Sequence, residues 1–214
     1  MSHPIDMKHK YINSLYVDTD SCTKCNLCNE RTHVVKGRTL FSGEINLNAD
    51  IMFIGEAPGY YEDQEGLPFV GKSGKVLEDA IYELELEKDV FYTNVVRCRP
   101  EGNRDPSLTE IEACSEYLNA EINIINPKLI VAVGRFAGNA LYKPDEPLTM
   151  RELYEIEFTI ENRFGPIPVI SIYHPSYLLR LRTQGGKLYN EFRDSYWEDF
   201  KSIKRKINDL RRAD

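Results

Sequence analysis

The sequence lacks several features that would place the chain in a specialised class. No apolar run approaches the roughly 18 residues of a membrane-spanning helix, so we expect no membrane partner. Residues 1–10 contain no apolar segment typical of a secretion signal, which favours a cytoplasmic location. Basic residues are outnumbered, with 27 Lys and Arg against 34 Asp and Glu, and the net charge is −7. This balance argues against nonspecific coating of nucleic acid, although it permits a local basic groove.

Cysteine is also scarce, with five residues in 214. Without a secretion signal we expect a reducing compartment, where cysteines serve as ligands or catalysts more often than as disulfides. The hydrophobic content of 42% is enough to bury a core, and the length suits a single domain, 1–214. There are no internal repeats.

Short apolar runs alternate with helical periodicity along most of the chain. This alternation predicts a parallel sheet covered on both faces, which is a three-layer α/β/α fold. The predicted core strands are 51–54, 90–96, 129–133 and 168–172, with an edge strand near 156–160. The predicted helices are 73–86, one opening at a Thr109–Glu112 capping box and running to about 125, 135–141 and 187–212, with a short helix or arm in 1–20 and a loop or hairpin in 36–49.

Polar residues follow three of the predicted strands. Glu56, Asn94 and His174 each lie where an apolar run ends, and the first run enters a glycine-rich loop, 55–71. Because the carboxyl ends of parallel strands share one edge of a sheet, we expect these three side chains to converge there.

The cysteines suggest a metal site or a redox dithiol. Cys22 and Cys25 form a C-x-x-C pair, and Cys98 and Cys114 lie far downstream. Structural zinc, an iron–sulfur cluster and a redox dithiol all use such a pair, and spacing alone does not choose among them. Cys114 would follow a capping box by one turn, where helix-end dipoles favour a thiolate. Cys28 could replace Cys25 in a C-x-x-C pair with a different partner, but we expect it to pack without ligating.

Several motifs, in order, resemble the family 4 uracil-DNA glycosylases, the iron–sulfur group of their superfamily. The resemblance runs from about Cys22 to Arg180 and covers most of the chain. The motifs are the cysteine turn with Leu27 and Arg31, Gly55-Glu56-Ala57-Pro58-Gly59 with Glu62-Asp63, Pro68-Phe69-Val70-Gly71, Asn94-Val95-Val96-Arg97-Cys98-Arg99-Pro100 with Asn103-Arg104, and His174-Pro175-Ser176-Tyr177-Leu178-Leu179-Arg180.

This resemblance implies a specific fold, activity and cofactor. The fold would be an α/β/α sandwich around a four-stranded parallel sheet, with a core of about 22–180, an N-terminal arm 1–21 and a C-terminal helical region 181–214. The activity would be monofunctional hydrolysis of the N-glycosidic bond of uracil in DNA, in base-excision repair. The cofactor would be a structural [4Fe–4S] cluster on Cys22, Cys25, Cys98 and Cys114.

The resemblance also implies a uracil pocket. Asn94 would bond the uracil amide edge, because a side-chain amide donates to O4 and accepts from N3–H. Phe69 would stack on the base, and His174 would donate to O2 as charge develops there. The backbone of Gly55, Glu56 and Ala57 would line the other edge. The best-known relatives have an aspartate at the position of Ala57, so Glu56 becomes the candidate for positioning water.

The implied partner is uracil-containing DNA, bound by a monomer in the cytoplasm, where DNA would hold it at the nucleoid. The alternative is a catalytically silent iron–sulfur module of the same fold that only binds DNA. The candidate DNA contacts are Lys72, Arg97, Arg99, Arg104, Ser176, Leu178 and Leu179.

Some segments depart from the family pattern. Glu101 stands where a second proline is usual, the segment 35–50 is longer than usual, and 143–165 carries no clear signature. These departures bear on substrate breadth and DNA contacts more than on the chemistry.

Overall fold

A computed structural model of the protein describes residues 4–39 and 46–213. The helices within these ranges are α1 (Pro4–Asp20), α2 (Tyr60–Glu65), α3 (Lys72–Glu83), α4 (Leu108–Ile125), α5 (Arg135–Tyr142), α6 (Met150–Glu155), α7 (Pro175–Gln184) and α8 (Lys187–Ala213). The strands are β1 (Arg38–Thr39), β2 (Ile51–Gly55), β3 (Val90–Asn94), β4 (Leu129–Val133), β5 (Phe158–Asn162) and β6 (Gly165–Ile172).

The strands form one mixed sheet in the order β1-β3-β2-β4-β6-β5. The neighbours β3, β2, β4 and β6 run parallel, whereas β1 and β5 pair antiparallel at the two edges. The expectation of a four-stranded parallel sheet is therefore incomplete, because the described residues form six strands. The second edge arises from a tight turn between β5 and β6, in which Asn162 pairs with Gly165 at a φ of +123°.

Two apolar clusters cover the faces of the sheet. Along β2, Met52 and Ile54 belong to the cluster under α1, α4 and α5, whereas Ile51 and Phe53 belong to the cluster under α3, α7 and α8. Successive side chains of a strand point to opposite faces, so a strand buried on both sides is apolar throughout. The result is the three-layer α/β/α architecture expected from the sequence.

The start of α4 differs from the predicted one. Its N-cap is Ser107, whose side chain accepts from the Glu110 backbone N–H while the Glu110 carboxylate accepts from the Ser107 N–H. The same spacing occurs at Thr109 and Glu112, and the pattern alone does not choose between the pairs. The helix thus begins earlier, and Cys114 lies about two turns inside it. The predicted help from the helix dipole at Cys114 is wrong, because that effect fades within the first turn.

The N-terminal segment forms the helix α1, which packs on the core and is not a free arm. Ile12 and Tyr16 of α1 are buried in the same cluster as the inward face of α4. Of the loop or hairpin expected at 36–49, the structure shows β1, and residues 40–45 lie outside the described ranges. No helix in the described part of the chain combines the length and the apolar character needed to cross a membrane.

Candidate active site

An open cleft of about 670 Å³ lies beyond the carboxyl ends of the parallel strands. It is lined by Glu56, which follows β2, by Asn94 at the end of β3, and by His174, which follows β6. The structure therefore brings together the three polar residues that follow strands in the sequence. Phe69, from the glycine-rich loop, lines the same cleft. This volume falls in the range of small-molecule sites, which suits one nucleobase and part of its strand.

Gly55 fixes the relation between Asn94 and Phe69. Gly55 lies opposite Asn94 in the sheet register, and a Cβ at Gly55 would lie 2.4 Å from the Asn94 Oδ1 and 2.7 Å from the Phe69 ring. The amide and the ring thus meet over a position where no side chain fits. A planar ligand at this point would touch a hydrogen-bonding edge and an aromatic face together.

The backbone of Phe69 is held in an unfavourable conformation. Its φ is +56°, in the left-handed region, which costs a non-glycine residue roughly 1–2 kcal/mol. Arg38 stabilises this turn, because its Nε donates to the Pro68 carbonyl at 2.8 Å and its Nη2 donates to the Phe69 carbonyl at 3.2 Å. Arg38 also forms an ion pair with Glu78 at 2.7 Å. A Cβ at Gly74 would lie 1.9 Å from the Phe69 carbonyl oxygen, so only glycine fits there.

Two carboxylates of α2 support the loop, and the sequence motif that contains them predicted no role for either. Glu62 Oε1 accepts from the Gly71 N–H at 2.7 Å, which closes the glycine-rich loop on itself. Asp63 is buried and accepts from the Thr32 N–H at 2.9 Å, which ties the segment after the cysteine turn to α2. Their adjacency to the glycine-rich loop was the available signal, but which backbone groups they bond depends on the folded loop.

His174 is held in one tautomer. Its Nδ1 accepts from the Ser176 backbone N–H at 3.2 Å and lies 2.8 Å from the Ser176 hydroxyl. A nitrogen that accepts a backbone N–H carries no proton, so we assign the proton to Nε2. Burial, and secondly the positive charge of Arg180, lower the pKa of His174 to about 4. At neutral pH the ring is therefore a neutral donor.

The pKa of Glu56 is raised, whereas that of His174 is lowered. Burial, and secondly the nearby Asp105 carboxylate, raise its pKa from 4.5 to about 7, and Arg135 offsets part of this shift. A carboxyl group with a pKa near neutrality is poised to exchange a proton at working pH, which is a feature of catalytic acids and bases.

The candidate DNA contacts separate into two groups. Lys72, Arg104 and Ser176 line the cleft, and Arg99 lies beside it over the Tyr60 ring. Leu178 is only 7% exposed and packs in the apolar cluster under α3, α7 and α8. In this DNA-free structure Leu178 is packed away from solvent, whereas the neighbouring Leu179 is partly exposed, and the DNA wedge stays a prediction.

Arg97 is wrongly predicted as a DNA contact. It is 2% exposed, and its Nη2 lies 2.6 Å from Oε2 of Glu121, which is itself 1% exposed. Thr93 Oγ1 donates to the same carboxylate at 2.7 Å, and the Tyr16 hydroxyl donates to its other oxygen at 3.0 Å. Arg97 is thus an internal cation, neutralised by a buried anion, and no phosphate can reach it.

This buried pair gives a stability prediction. Glu121→Gln keeps the volume but leaves the Arg97 charge without a counterion, and losing one partner of a buried pair costs about 3–5 kcal/mol. We expect urea unfolding to show a loss of that order. The matched control is Glu116→Gln on the same helix, since Glu116 pairs with Lys24 at the surface, where such pairs contribute about 1 kcal/mol or less. Equal losses in the two variants would contradict this account.

All five cysteines are free thiols that line one pocket. Cys98 and Cys114 are buried there, whereas Cys22, Cys25 and Cys28 are partly exposed. Arg31 donates to the Cys98 sulfur at 3.4 Å and to the Cys22 carbonyl at 2.9 Å, so it ties the N-terminal turn to the end of β3. The four predicted ligands, distant in sequence, are thus gathered on one pocket, and Cys28 lies at the same pocket.

A short segment joins this pocket to the cleft. Residues 94–98 run from Asn94 in the cleft to Cys98 in the cysteine pocket. Between them, the Val95 N–H donates to the Gly55 carbonyl at 2.8 Å and the Val96 N–H donates to the Glu56 carbonyl at 3.1 Å. The segment is therefore fastened to the loop after β2 along its length.

Comparison with known proteins shows the family to which the chain belongs. The profile of the uracil DNA glycosylase superfamily matches residues 42–201, so the chain belongs to this superfamily. Type-4 uracil-DNA glycosylases are similar over most of its length. The protein of Archaeoglobus fulgidus is 37% identical over 86% of each chain, and that of Sulfurisphaera tokodaii is 42% identical over 86% of this chain and 79% of its own. That of Thermotoga maritima is 39% identical over 86% and 88%. The chain is a member of the type-4 group.

Proposed function

We propose that this protein excises uracil from DNA by hydrolysis of the N-glycosidic bond and leaves an abasic site for base-excision repair. The observation that carries this proposal is the convergence of Asn94, Phe69 and His174 on one cleft, which Glu56 also lines. A base inside a duplex cannot reach such a cleft, so the nucleotide must flip out of the stack. The described chain supplies all of these groups itself, which supports action as a monomer.

Asn94 and Phe69 account for recognition of the base. The Asn94 side chain is 4% exposed, so a uracil that satisfies its amide avoids leaving a buried polar group without a partner. The amide donates to O4 and accepts from N3–H, and cytosine presents the reverse pattern of donor and acceptor. Phe69 stacks on the base, and its ring rests on Tyr92 at a centroid distance of 5.5 Å. The aromatic wall is therefore fixed before the substrate arrives.

His174 stabilises the leaving group. As the bond between C1′ and N1 breaks, its electron pair moves into the uracil ring and negative charge develops on O2. A neutral imidazole that carries its proton on Nε2 donates to that oxygen without transferring a full charge. Pre-aligned donors of this kind supply a large share of the transition-state stabilisation in many enzymes.

Glu56 acts on the water and the sugar. The carboxylate orients a water molecule towards C1′ and stabilises the positive charge that develops on the sugar ring. The water oxygen bonds to C1′, its proton passes to the carboxylate, and uracil leaves as an anion that takes up a proton from solvent. The side chain of Ala57 has no group that could orient water, so this task falls to the carboxylate of its neighbour Glu56.

This role predicts a pH dependence. The ionised form of Glu56 is the working form, so we expect kcat/KM to fall about tenfold per pH unit below its pKa of about 7 and to level off above it. Glu56→Gln should lower the plateau and abolish this limb. Stability should respond as well, because the raised pKa favours the protonated form in the fold. That contribution is complete below about pH 4.5 and is lost as the pH rises through 7.

The control for this profile is Glu62→Gln, which alters a neighbouring carboxylate that closes the loop. A limb that persisted unchanged in Glu56→Gln would assign the titration to another group. Denaturant midpoints measured across pH 4–8 for both variants would separate the catalytic effect from the effect on stability.

We also propose that Cys22, Cys25, Cys98 and Cys114 hold a [4Fe–4S] cluster. Their thiols line one pocket, and thiolates suit iron–sulfur ligation. Within residues 4–39 and 46–213, no three His, Cys, Asp or Glu side chains lie close enough to hold a single metal ion. When bound, the cluster would cross-link the N-terminal turn, β3 and α4, and the residues of the cleft would carry the reaction.

The decisive experiment is release of free uracil from oligonucleotides that carry one uracil opposite guanine, opposite adenine or unpaired, followed by alkaline cleavage at the abasic site. We expect release from each, with none from matched thymine. A folded, cluster-loaded protein that binds the oligonucleotides and releases no uracil would instead establish a silent DNA-binding module. Asn94→Ala provides the control for the pocket, because its loss removes the recognition of the uracil edge.

A further inference from the structure

Two exposed tyrosines stand side by side at the mouth of the cleft. Tyr60 and Tyr61 open α2 and are 53% and 56% exposed. Their rings meet edge to face with centroids 5.4 Å apart, and both residues line the cleft that holds Glu56, Asn94 and His174. The uracil pocket described above uses neither of them.

A cation, Arg99, lies over the ring of Tyr60. The Arg99 guanidinium lies 5.1 Å from the centre of the Tyr60 ring, and its Nε donates to Asn103 Oδ1 at 2.7 Å. Arg99 is therefore positioned by two contacts. Lys72 and Arg180 line the same cleft, as does Arg104, which forms an ion pair with Glu110 at 2.7 Å. On a chain of net charge −7, this local group of cations favours an anionic strand at this point.

We propose that Tyr60 and Tyr61 form a stacking site for an unpaired nucleobase next to the flipped uracil. This inference rests on the proposed function, since it places a second nucleotide of the same strand beside the first. We name the pair the aromatic platform. Aromatic side chains bind successive bases of single strands in this way, and every base offers a π-face, so the site is tolerant of sequence.

The chemistry of the site favours a base over other occupants. A phosphate alone would be held by the cations and would gain nothing from the rings. An apolar peptide would use the rings, but the Arg99 guanidinium over the Tyr60 ring and the Lys72 and Arg180 side chains that line the cleft disfavour it. A nucleotide uses both, because its base stacks while its phosphate meets Arg99 or Lys72.

The aromatic platform also predicts a strand preference. In a duplex, the neighbour of the uracil is stacked and paired, so placing it on the platform costs the energy of unstacking. In a single strand, or beside a mismatch, that cost is small. We therefore expect the protein to bind uracil in single-stranded DNA more tightly than in a fully paired duplex.

The test combines protein variants with substrates that lack the neighbouring base. Tyr60→Ala, Tyr61→Ala and the double variant are compared with the wild type on single-stranded oligonucleotides with ordinary neighbours. A second set of oligonucleotides carries an abasic analogue on the 5′ side, the 3′ side or both sides of the uracil. KM for uracil release and Kd for the oligonucleotide are measured for each pair.

We expect each alanine variant to raise KM and Kd on ordinary substrates about tenfold, because the loss of one ring removes part of the stacking on the neighbouring base. The abasic neighbour should raise them equally in the wild type, and the variants should lose little more on that substrate. Tyr60→Phe and Tyr61→Phe keep the ring and should behave like the wild type. Tyr11→Ala removes a tyrosine of similar exposure, 51%, from α1, and serves as the matched control.

Specific results would overturn the proposal. Alanine variants that match the wild type on ordinary single strands, or that lose as much with abasic neighbours, would show that no neighbouring base stacks there. Excision of thymine by Tyr60→Ala would instead make Tyr60 a wall of the uracil pocket. Absence of uracil release from the wild type would refute the proposed function, so the two failures are distinct.

Discussion

His174→Ala is expected to lower the rate of uracil release by about 10²–10³-fold, the usual loss when one pre-aligned donor to a developing oxyanion is removed. The reason is the tautomer: the Ser176 N–H occupies Nδ1, so Nε2 carries the proton. The low pKa of about 4 keeps the ring neutral, so its donor capacity stays constant between pH 5 and 8. Single-turnover release of uracil measures the loss directly, because it excludes product dissociation.

The control for this prediction is His9→Ala, since His9 is exposed on α1 and lies outside the residues that line the cleft. Binding of uracil-containing DNA by His174→Ala should fall far less than the rate, because the donor matters most once charge develops on O2. If the rate fell less than tenfold, or if Kd rose as much as the rate fell, the assignment of His174 to the leaving group would be refuted.

Cys114→Ser is expected to lose the cluster, the brown colour and most of the stability of the fold. Structural zinc in zinc-finger peptides binds with about 10–16 kcal/mol, so a structural metal site can match the total stability of a domain, about 5–15 kcal/mol. Cys114 lies on the buried face of α4, and loss of ligation there would leave the N-terminal turn tied only by contacts such as Arg31 with Cys98. Iron content and the urea midpoint are the measurements.

Cys28→Ser is the matched control, because Cys28 lies at the same pocket and is expected to pack without ligating. It should keep the iron, the colour and the midpoint within error. Should Cys114→Ser fail to accumulate, Cys25→Ser and treatment of the wild type with a chelator give the same readouts. Full iron in Cys114→Ser, or its loss in Cys28→Ser, would mean that the ligand set is wrong.

Much of the fold could be predicted from sequence, because buried parallel strands are short apolar runs and their ends share one edge. That rule alone placed Glu56, Asn94 and His174 together. The edge strand β1 was expected only as part of a loop or hairpin, since its two residues carry no periodicity and its pairing comes entirely from β3. The start of α4 was ambiguous because two capping boxes of equal spacing overlap in the sequence.

The errors in the site arose where burial depends on distant partners. Arg97 follows the strand end in a segment with Arg99, and both suggest a phosphate contact. Arg97 instead pairs with Glu121, which is 24 positions away in the sequence. The burial of Leu178, by contrast, was predictable in principle, since Leu178 and Leu181 are three residues apart on α7 and both are buried. A helical period was present there and marked the inward face.

The segment 94–98 places a narrow limit on how this protein can change. Within five positions it carries the amide proposed to bind uracil, two backbone hydrogen bonds to the neighbouring loop, an internal cation and a cysteine. Inserting or deleting one residue would shift the later residues of the segment out of register with the loop after β2, and would misplace several of these groups at once. Variation here must therefore proceed by substitution alone. A designer who moves the uracil pocket to another scaffold would have to move the cysteine pocket with it.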